Sequence, residues 1–305
     1  MNLFRNHLWF HIFIISFVFA SFGNAQEFRL RAHHVFWKNQ EANTEREIDF
    51  GRGVSAKILG KYPISRDERK QRYISQIGTG ISAQLGRPEL RYFFGILDTD
   101  EINAFAAPGG YIFVTQGALK LMRNEAQLAG VLAHELAHVN QKHIVRKLKL
   151  QSTDRSITSG IAQVLGGATL TAKIALERLN DLAFKMLMEE GLSKEDEADA
   201  DQKALETLMS TGYDLQSYLN YLQSLKPYLE QGQAKVLSKT HPTIEFRYNN
   251  LREFIIKNDL DNFQGKKNEK RFQKKIAGIN AIKANSMLCV HFLRFYRYQI
   301  TQHKS

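Results

Sequence analysis

The chain has 305 residues, 43% hydrophobic and 24% charged, enough for one large domain or two small ones with a sizeable core. Its single cysteine, Cys289, excludes an intramolecular disulfide framework. The net charge of +11 is uneven: residues 266–305 hold ten Lys or Arg against one acidic residue, Glu269, so the rest of the chain is close to neutral.

Residues 1–25 have the pattern of a signal peptide. Arg5 precedes an apolar run from Leu8 to Phe22, and Gly23 and Ala25 are the small residues that a signal peptidase reads. Cleavage after Ala25 and a periplasmic address are expected. The alternative is an uncleaved N-terminal membrane anchor, for which the run is short. The remainder divides into a body, 26–265, and a basic C-terminal tail, 266–305. An exported basic tail meets anionic lipid or another protein rather than nucleic acid, or is simply a solvated tail.

Residues 26–46 show no clear period. From Glu47 to Leu85 the pattern is helical, broken near Pro63, with Ile74, Ile77, Ile81 and Leu85 on roughly one face. Leu90–Leu97 reads as a strand ended by Asp98 and Asp100. Pro108-Gly109-Gly110 is a turn and Tyr111–Thr115 a second strand. The edge of this hairpin, around Asn103, Gly109 and Gly110, is either a ledge on which an extended substrate pairs or part of a plain core hairpin.

Next comes Val131-Leu-Ala-His-Glu-Leu-Ala-His-Val139. On a helix, His134 and His138 stand one turn apart on one face and offer two imidazoles to one ion. Glu135 lies about 100° round the helix, placed to take a proton from an attacking water without being a ligand. That division of labour is the one zinc hydrolysis needs. The competing reading is an ordinary helix that happens to carry two histidines and a glutamate. The helix itself is well signalled: Asn124 as N-cap, Glu125 in the first turn, and an apolar stripe of Leu128, Val131, Leu132 and Ala137.

Ser156–Ala172 is uncharged and rich in small residues, and reads as helices lining or covering a cleft. A helix runs from Ser193 to Gly212 and another over Leu215–Leu225, stopped by Pro227. His241-Pro242 is a loop, and Phe246–Ile256 returns to helix.

Zinc needs a third protein ligand. His143 lies nine residues beyond His134, about 900° along a helix, and so on the opposite face. The metzincin pattern would need glycine at 141 and histidine at 144, where this chain has Gln141 and Ile144, so His143 reads as structural. Glu195 is the better candidate, with Asp199 one turn on to accept the free ring N–H of a ligating histidine. Against this stands the ordinary preference for acidic residues at a helix N-terminus.

Taken together these residues resemble a zinc metallopeptidase family that includes the CAAX prenyl proteases, the membrane protease HtpX, the mitochondrial Oma-type proteases and the periplasmic β-barrel-assembly-enhancing protease. The resemblance runs from about Glu47 to Leu251. It covers Asn103–Thr115, Gly117, Asn124–His138, Glu195-Asp-Glu-Ala-Asp199, Gly212-Tyr213, Thr240-His241-Pro242 and Arg247. It implies an α+β, mostly helical gluzincin-type fold with a small β-sheet beside the active-site helix. It implies one Zn2+ per chain on His134, His138 and Glu195, Glu135 as general base and Asp199 as outer partner. By the same resemblance His241 can occupy the open position and hold the enzyme latent, while Arg247 assists catalysis. The spanning helices of the membrane-bound relatives have no counterpart after the signal, and no tetratricopeptide repeat follows Leu251.

The function expected is an exported zinc-dependent endopeptidase in protein quality control of the cell envelope, acting on unfolded or misassembled proteins. The alternatives are a latent metal-bound chaperone-like module and a membrane-surface module working through the 266–305 tail.

Overall fold

The computed structural model describes residues 43–148 and 170–276. The chain divides into two compact units, 1–45 and 46–305, and the first is described only at residues 43–45. The expectations for residues 1–25, for most of Ser156–Ala172 and for 277–305 lie outside the described residues. Among the described residues, no helix is long and apolar enough to cross a membrane.

Phe50, Val54 and Ile58 recur every four residues on helix α1 (residues 43–61) and are buried. Helix α2 (Glu68–Ser82) starts at Asp67, whose carboxylate accepts from the backbone N–H groups of Arg69 and Lys70, and it buries Tyr73, Ile74, Ile77 and Ile81. Between them lies a three-stranded sheet of β1 (Phe93–Leu97), β2 (Ala104–Ala107) and β3 (Tyr111–Thr115), in the order β1-β3-β2. β1 runs parallel to β3, with Phe94 opposite Ile112, and β2 antiparallel to it, with Phe105 opposite Phe113.

Because side chains alternate along a strand, the sheet feeds two cores. Phe94, Ile96, Ile112 and Val114 join the cluster holding α2, whereas Leu97, Phe105 and Phe113 join the cluster holding α1. With both faces covered, the strands are apolar throughout rather than alternating. β2 is an edge: within the sheet it pairs only with β3.

The turn between β2 and β3 corrects one expectation. Gly109 and Gly110 adopt φ of +72° and +99°, a region open to glycine. A Cβ on Gly109 would stand 2.6 Å from the Cα of Ile48, and one on Gly110 2.5 Å from the carbonyl oxygen of Arg91. Glu47 closes the contact: it pairs with Arg87 at 2.8 and 2.9 Å and accepts from the Gly109 N–H at 3.4 Å. Gly109 therefore seats the hairpin on α1 and Gly110 seats it on the chain entering β1, and both are buried rather than forming a substrate edge.

After the short helix α3 (Gln116–Leu121) comes α4 (Glu125–Asn140), the helix with the two histidines. It starts where the sequence predicts, with the Asn124 side chain accepting from the Gln127 N–H at 3.0 Å. Instead of a single apolar stripe, every residue from Glu125 to Val139 is buried. Such a helix is enclosed on all sides: the sheet, α2, α7 (Lys194–Thr211) and α8 (Leu215–Ser224) all pack on it. Helices α5 (His143–Lys147) and α6 (Leu170–Lys185) precede α7, with a π-helical turn, Met186–Glu190, directly after α6. The remaining helices among the described residues are α9 (Lys226–Glu230), α10 (Lys235–Thr240), α11 (Ile244–Lys257) and α12 (Glu269–Ile276). The fold is mostly helical α+β, with a small sheet beside α4, as expected.

The boundary expected at 265/266 is also corrected. Lys266 donates its N–H to the Gly212 carbonyl at 2.8 Å, and the Glu125 N–H donates to the Lys267 carbonyl at 3.0 Å. Asn268 and Arg271 both donate to the buried Glu125 carboxylate, as do Tyr73 and Tyr213. Phe272 is 2% exposed and lies against Tyr73 with ring centroids 6.5 Å apart. The lysines of α12 face solvent, and that basic surface conceals a buried Phe272 and a half-buried Ile276 one turn apart.

Candidate metal centre

Four side chains converge where α4, α7 and the end of α10 meet. His134, His138, Glu197 and His241 each offer one ligand atom, all within 4.8 Å of one another. The Nε2 atoms of His134 and His138 stand 3.0 Å apart. Glu197 Oε1 lies 3.5 Å from His138 Nε2, and its Oε2 lies 3.7 Å from the Nε2 atoms of both His134 and His241. All but His241 are buried, and His241 is nearly so.

Glu195 does not take part. Its side chain is exposed, and Asp199, half-buried, bonds to His143 rather than to a member of the four. Glu197 and Asp201 stand where Glu195 and Asp199 were expected, with the same four-residue spacing shifted by two residues. Ser193 caps α7 by accepting from the Asp196 N–H at 3.1 Å, which fixes the helical phase. In that phase Glu197 and Asp201 share the buried face with Ala204, Leu205 and Leu208, and Glu195 points away. The apolar rhythm downstream carried this signal.

Asp201 orders the far side of His134. Its Oδ1 lies 2.9 Å from His134 Nδ1 and accepts that ring's N–H. Arg247 grips the same carboxylate through Nε at 2.8 Å and through a second nitrogen at 2.6 Å. Tyr218 accepts from Arg247 at 2.8 Å and donates to Asp201 at 2.9 Å. Gly130 makes room for that ring, because a Cβ there would lie 2.5 Å from it. Burial alone would raise Asp201, but the Arg247 guanidinium and the His134 ring outweigh it and hold the carboxyl well below its ordinary range. Arg247, matched by resemblance to a catalytic role, is thus committed to Asp201 while also lining the cleft. Tyr218 and Asp201 were not singled out from the sequence.

His143 is nearer the centre than helical arithmetic allowed. α4 ends at Asn140, and Lys142 takes a left-handed φ of +56°, so the chain turns back. This brings His143 Nδ1 to 2.8 Å from His138 Nδ1.

The donor set fits a divalent metal. Burial lowers the basicity of His134, His138 and His241, leaving neutral imidazoles. His134 spends its ring proton on Asp201, so its Nε2 turns a lone pair toward the others. Glu197 Oε2, buried, has no hydrogen-bond partner among the described residues. Lone pairs converging on one point are stabilised by a cation, and neutral imidazoles with one carboxylate are a zinc-type set. In the protein alone, burial pushes Glu135 up to about 8 and Glu197 well above the usual range, with Arg247 opposing both shifts.

His241 divides the cleft. Two cavities of about 30 Å³ flank it, sharing Ala104, Glu135 and His241 as walls. Phe105, Met186, Leu187 and Leu192 line one side; Asn103, Tyr218, Tyr221 and Leu225 line the other. Each holds a water or two and not a peptide. Asn103, expected on the substrate edge, does line the cleft beside Glu135, and its Nδ2 is buried without a partner among the described residues. The loop of His241 is seated on Gly191, whose φ is +70°; a Cβ there would stand 2.2 Å from the Thr240 carbonyl oxygen.

This fold and constellation belong to a known class of protein: the chain is a member of peptidase family M48, whose pattern matches residues 68–255. It is 26% identical over 243 residues to the beta-barrel assembly-enhancing protease of Escherichia coli K12, covering 72% of this chain and 47% of that protein. It is 26% identical over 184 residues to the mitochondrial metalloendopeptidase OMA1 of Schizosaccharomyces pombe, 60% of this chain and 52% of that protein. Metalloprotease YcaL of Escherichia coli K12 is 22% identical over 203 residues, 67% and 77% of the two chains. The chain spans about half the length of the beta-barrel assembly-enhancing proteases it matches.

Competition with a chelator separates the two glutamates of α7. Glu197→Gln is expected to weaken metal binding by more than the ~10–100-fold that loss of an outer partner costs. Glu195→Gln should leave it unchanged. The reverse ranking would put the third ligand back at Glu195.

Proposed function

We propose that this chain is a zinc-dependent endopeptidase held latent by His241, serving protein quality control in the cell envelope. The observation that carries this reading is the convergence of His134, His138 and Glu197 beside Glu135 along edge strand β2. Zinc bound there would supply Lewis acidity, polarising a peptide carbonyl and making a water acidic enough to attack at neutral pH.

The chain's own residues do the rest. Glu135 takes the proton of the attacking water and passes it to the leaving amine. Asp201, clamped by Arg247 and Tyr218, fixes the His134 ring. β2 ends the sheet, so an extended segment laid beside it would pair with its main chain, and Asn103 Nδ2 is a donor awaiting an acceptor. Extended, unpaired segments are what unfolded or misassembled proteins present, which supports them as substrates. An exported location rests on the pattern of residues 1–25, and the exposed Lys270, Lys274 and Lys275 keep an anionic membrane surface among the partners. The test is zinc-dependent cleavage of an unfolded protein, abolished by a chelator and restored by zinc. A chain that binds zinc and cleaves nothing, even with His241 removed, would favour the chaperone-like alternative.

His241→Ala tests the latch. In the structure its ring stands among the ligand atoms and leaves no room for a peptide. If the closed form holds nine-tenths of the molecules, opening it raises activity about tenfold. Zinc K-edge spectra of the resting protein should lose one imidazole on this substitution. An unchanged spectrum with activity falling by about 10²–10³, the cost of a lost oxyanion donor, would replace the latch by a transition-state role.

A further inference from the structure

The four converging groups leave one buried neighbour without a task. His143 has no exposed surface, and its two nitrogens face in opposite directions. Nδ1 lies 2.8 Å from His138 Nδ1. Nε2 lies 3.2 Å from Asp199 Oδ2 and 3.7 Å from Asp196 Oδ1, the latter already held by Arg146 at 2.9 Å.

Counting protons fixes the roles. Two ring nitrogens 2.8 Å apart need one proton between them. On its other side His143 meets only carboxylate oxygens, which accept, so its Nε2 carries a proton. A ligating His138 turns its Nε2 lone pair toward His134, Glu197 and His241, so its own proton sits on Nδ1, and His143 Nδ1 is the acceptor of the shared bond. The opposite arrangement would put the proton on His138 Nε2, the atom that has to coordinate.

We infer that His143, backed by Asp199, is a positioning residue for the metal centre: it sets the tautomer of His138 and aims its Nε2 into the ligand cluster. The inference rests on the metal-centre reading above. It gives the two histidines different supports. His134 leans directly on a carboxylate, Asp201, whereas His138 reaches its carboxylate, Asp199, through a second imidazole. Asp199, expected to serve a ligating histidine directly, serves one at a remove. The left-handed Lys142 makes this possible by folding His143 back beside the ring it supports.

Zinc affinity of the full chain, measured by chelator competition, tests the assignment alongside long-range 1H–15N spectra of its imidazoles. His143→Leu is expected to weaken zinc binding about 10–100-fold, the usual cost of an outer partner. His143→Asn, whose side-chain oxygen can stand where Nδ1 stood, should recover most of that loss; a merely structural role would not show this rescue. In the zinc-loaded wild type, the spectra should show protons on His138 Nδ1 and His143 Nε2. Wild-type affinity in a folded His143→Leu protein, or a proton on His143 Nδ1, overturns the inference. Should His143→Leu fail to fold, Asp199→Asn at its half-exposed position and the wild-type spectrum decide: unchanged affinity together with the other tautomer overturns it. Failure of the unaltered chain to bind zinc removes the metal-centre reading itself. Normal zinc binding in every variant removes only the role of His143.

Discussion

Replacing Glu135 by Gln is expected to lower turnover by about 10²–10⁴, the usual contribution of a positioned base, while zinc still binds. Glu135 faces the cleft on both sides of His241 and is not among the groups gathered at the centre. Gln keeps the shape of the side chain but cannot take a proton from water. Because the carboxylate is buried in the protein alone, the neutral amide also removes a desolvation cost, so the variant should fold at least as well as the wild type. Metal content per chain and cleavage rate, measured on one preparation, separate the two effects. Normal zinc with wild-type turnover would discard Glu135 as the base.

The second large effect is on stability. A chain stopped after Gly265 is expected to lose at least ~3–5 kcal/mol, the cost of emptying a large aromatic site or of stranding a buried charge. Phe272 leaves a hole beside Tyr73, and Glu125 keeps its charge without Arg271 and Asn268. The midpoint of thermal unfolding should fall by roughly 10 °C or more. The pH dependence identifies the charge. Burial would raise the Glu125 carboxyl, but its hydrogen bonds from Arg271, Tyr73, Tyr213 and Asn268 prevail and hold it below its ordinary value. Its contribution is therefore complete above the ordinary carboxylate range and disappears as pH falls through the lowered folded value. The gap between full-length and shortened chains should narrow in acid. An unchanged midpoint would return residues 266–276 to the status of a dispensable tail.

What the sequence disclosed depended on whether the signal was local. Asn124, the His134-to-His138 spacing and the neighbouring Glu135 are all set within one helix, and the structure gathers the two histidines as the spacing predicts. The acidic helix offered two pairs with identical spacing, and only the cap at Ser193 and the apolar phase through Ala204 and Leu208 distinguish them. His143 was misplaced because nine residues at 100° each presumes an unbroken helix, and a single left-handed residue, Lys142, ended it. Arg271 and Phe272 sit in a stretch so basic that it reads as solvated. Their partners, Glu125 and Tyr73, lie far back in the chain, and no local rule connects them.

That distance has a consequence for how the molecule is made. The bond between Glu125 and Arg271 joins positions 146 residues apart and holds the first turn of α4. A contact of such separation forms late, since the entropy of closing the loop precedes any reward. During synthesis both histidines emerge long before the segment that seats their helix. A partly made chain carries the hydrolytic motif without the frame that presents it. The first turn of α4 is therefore secured only once residues 266–272 have joined it, and the two histidines gain their fixed setting with the last of these long-range contacts.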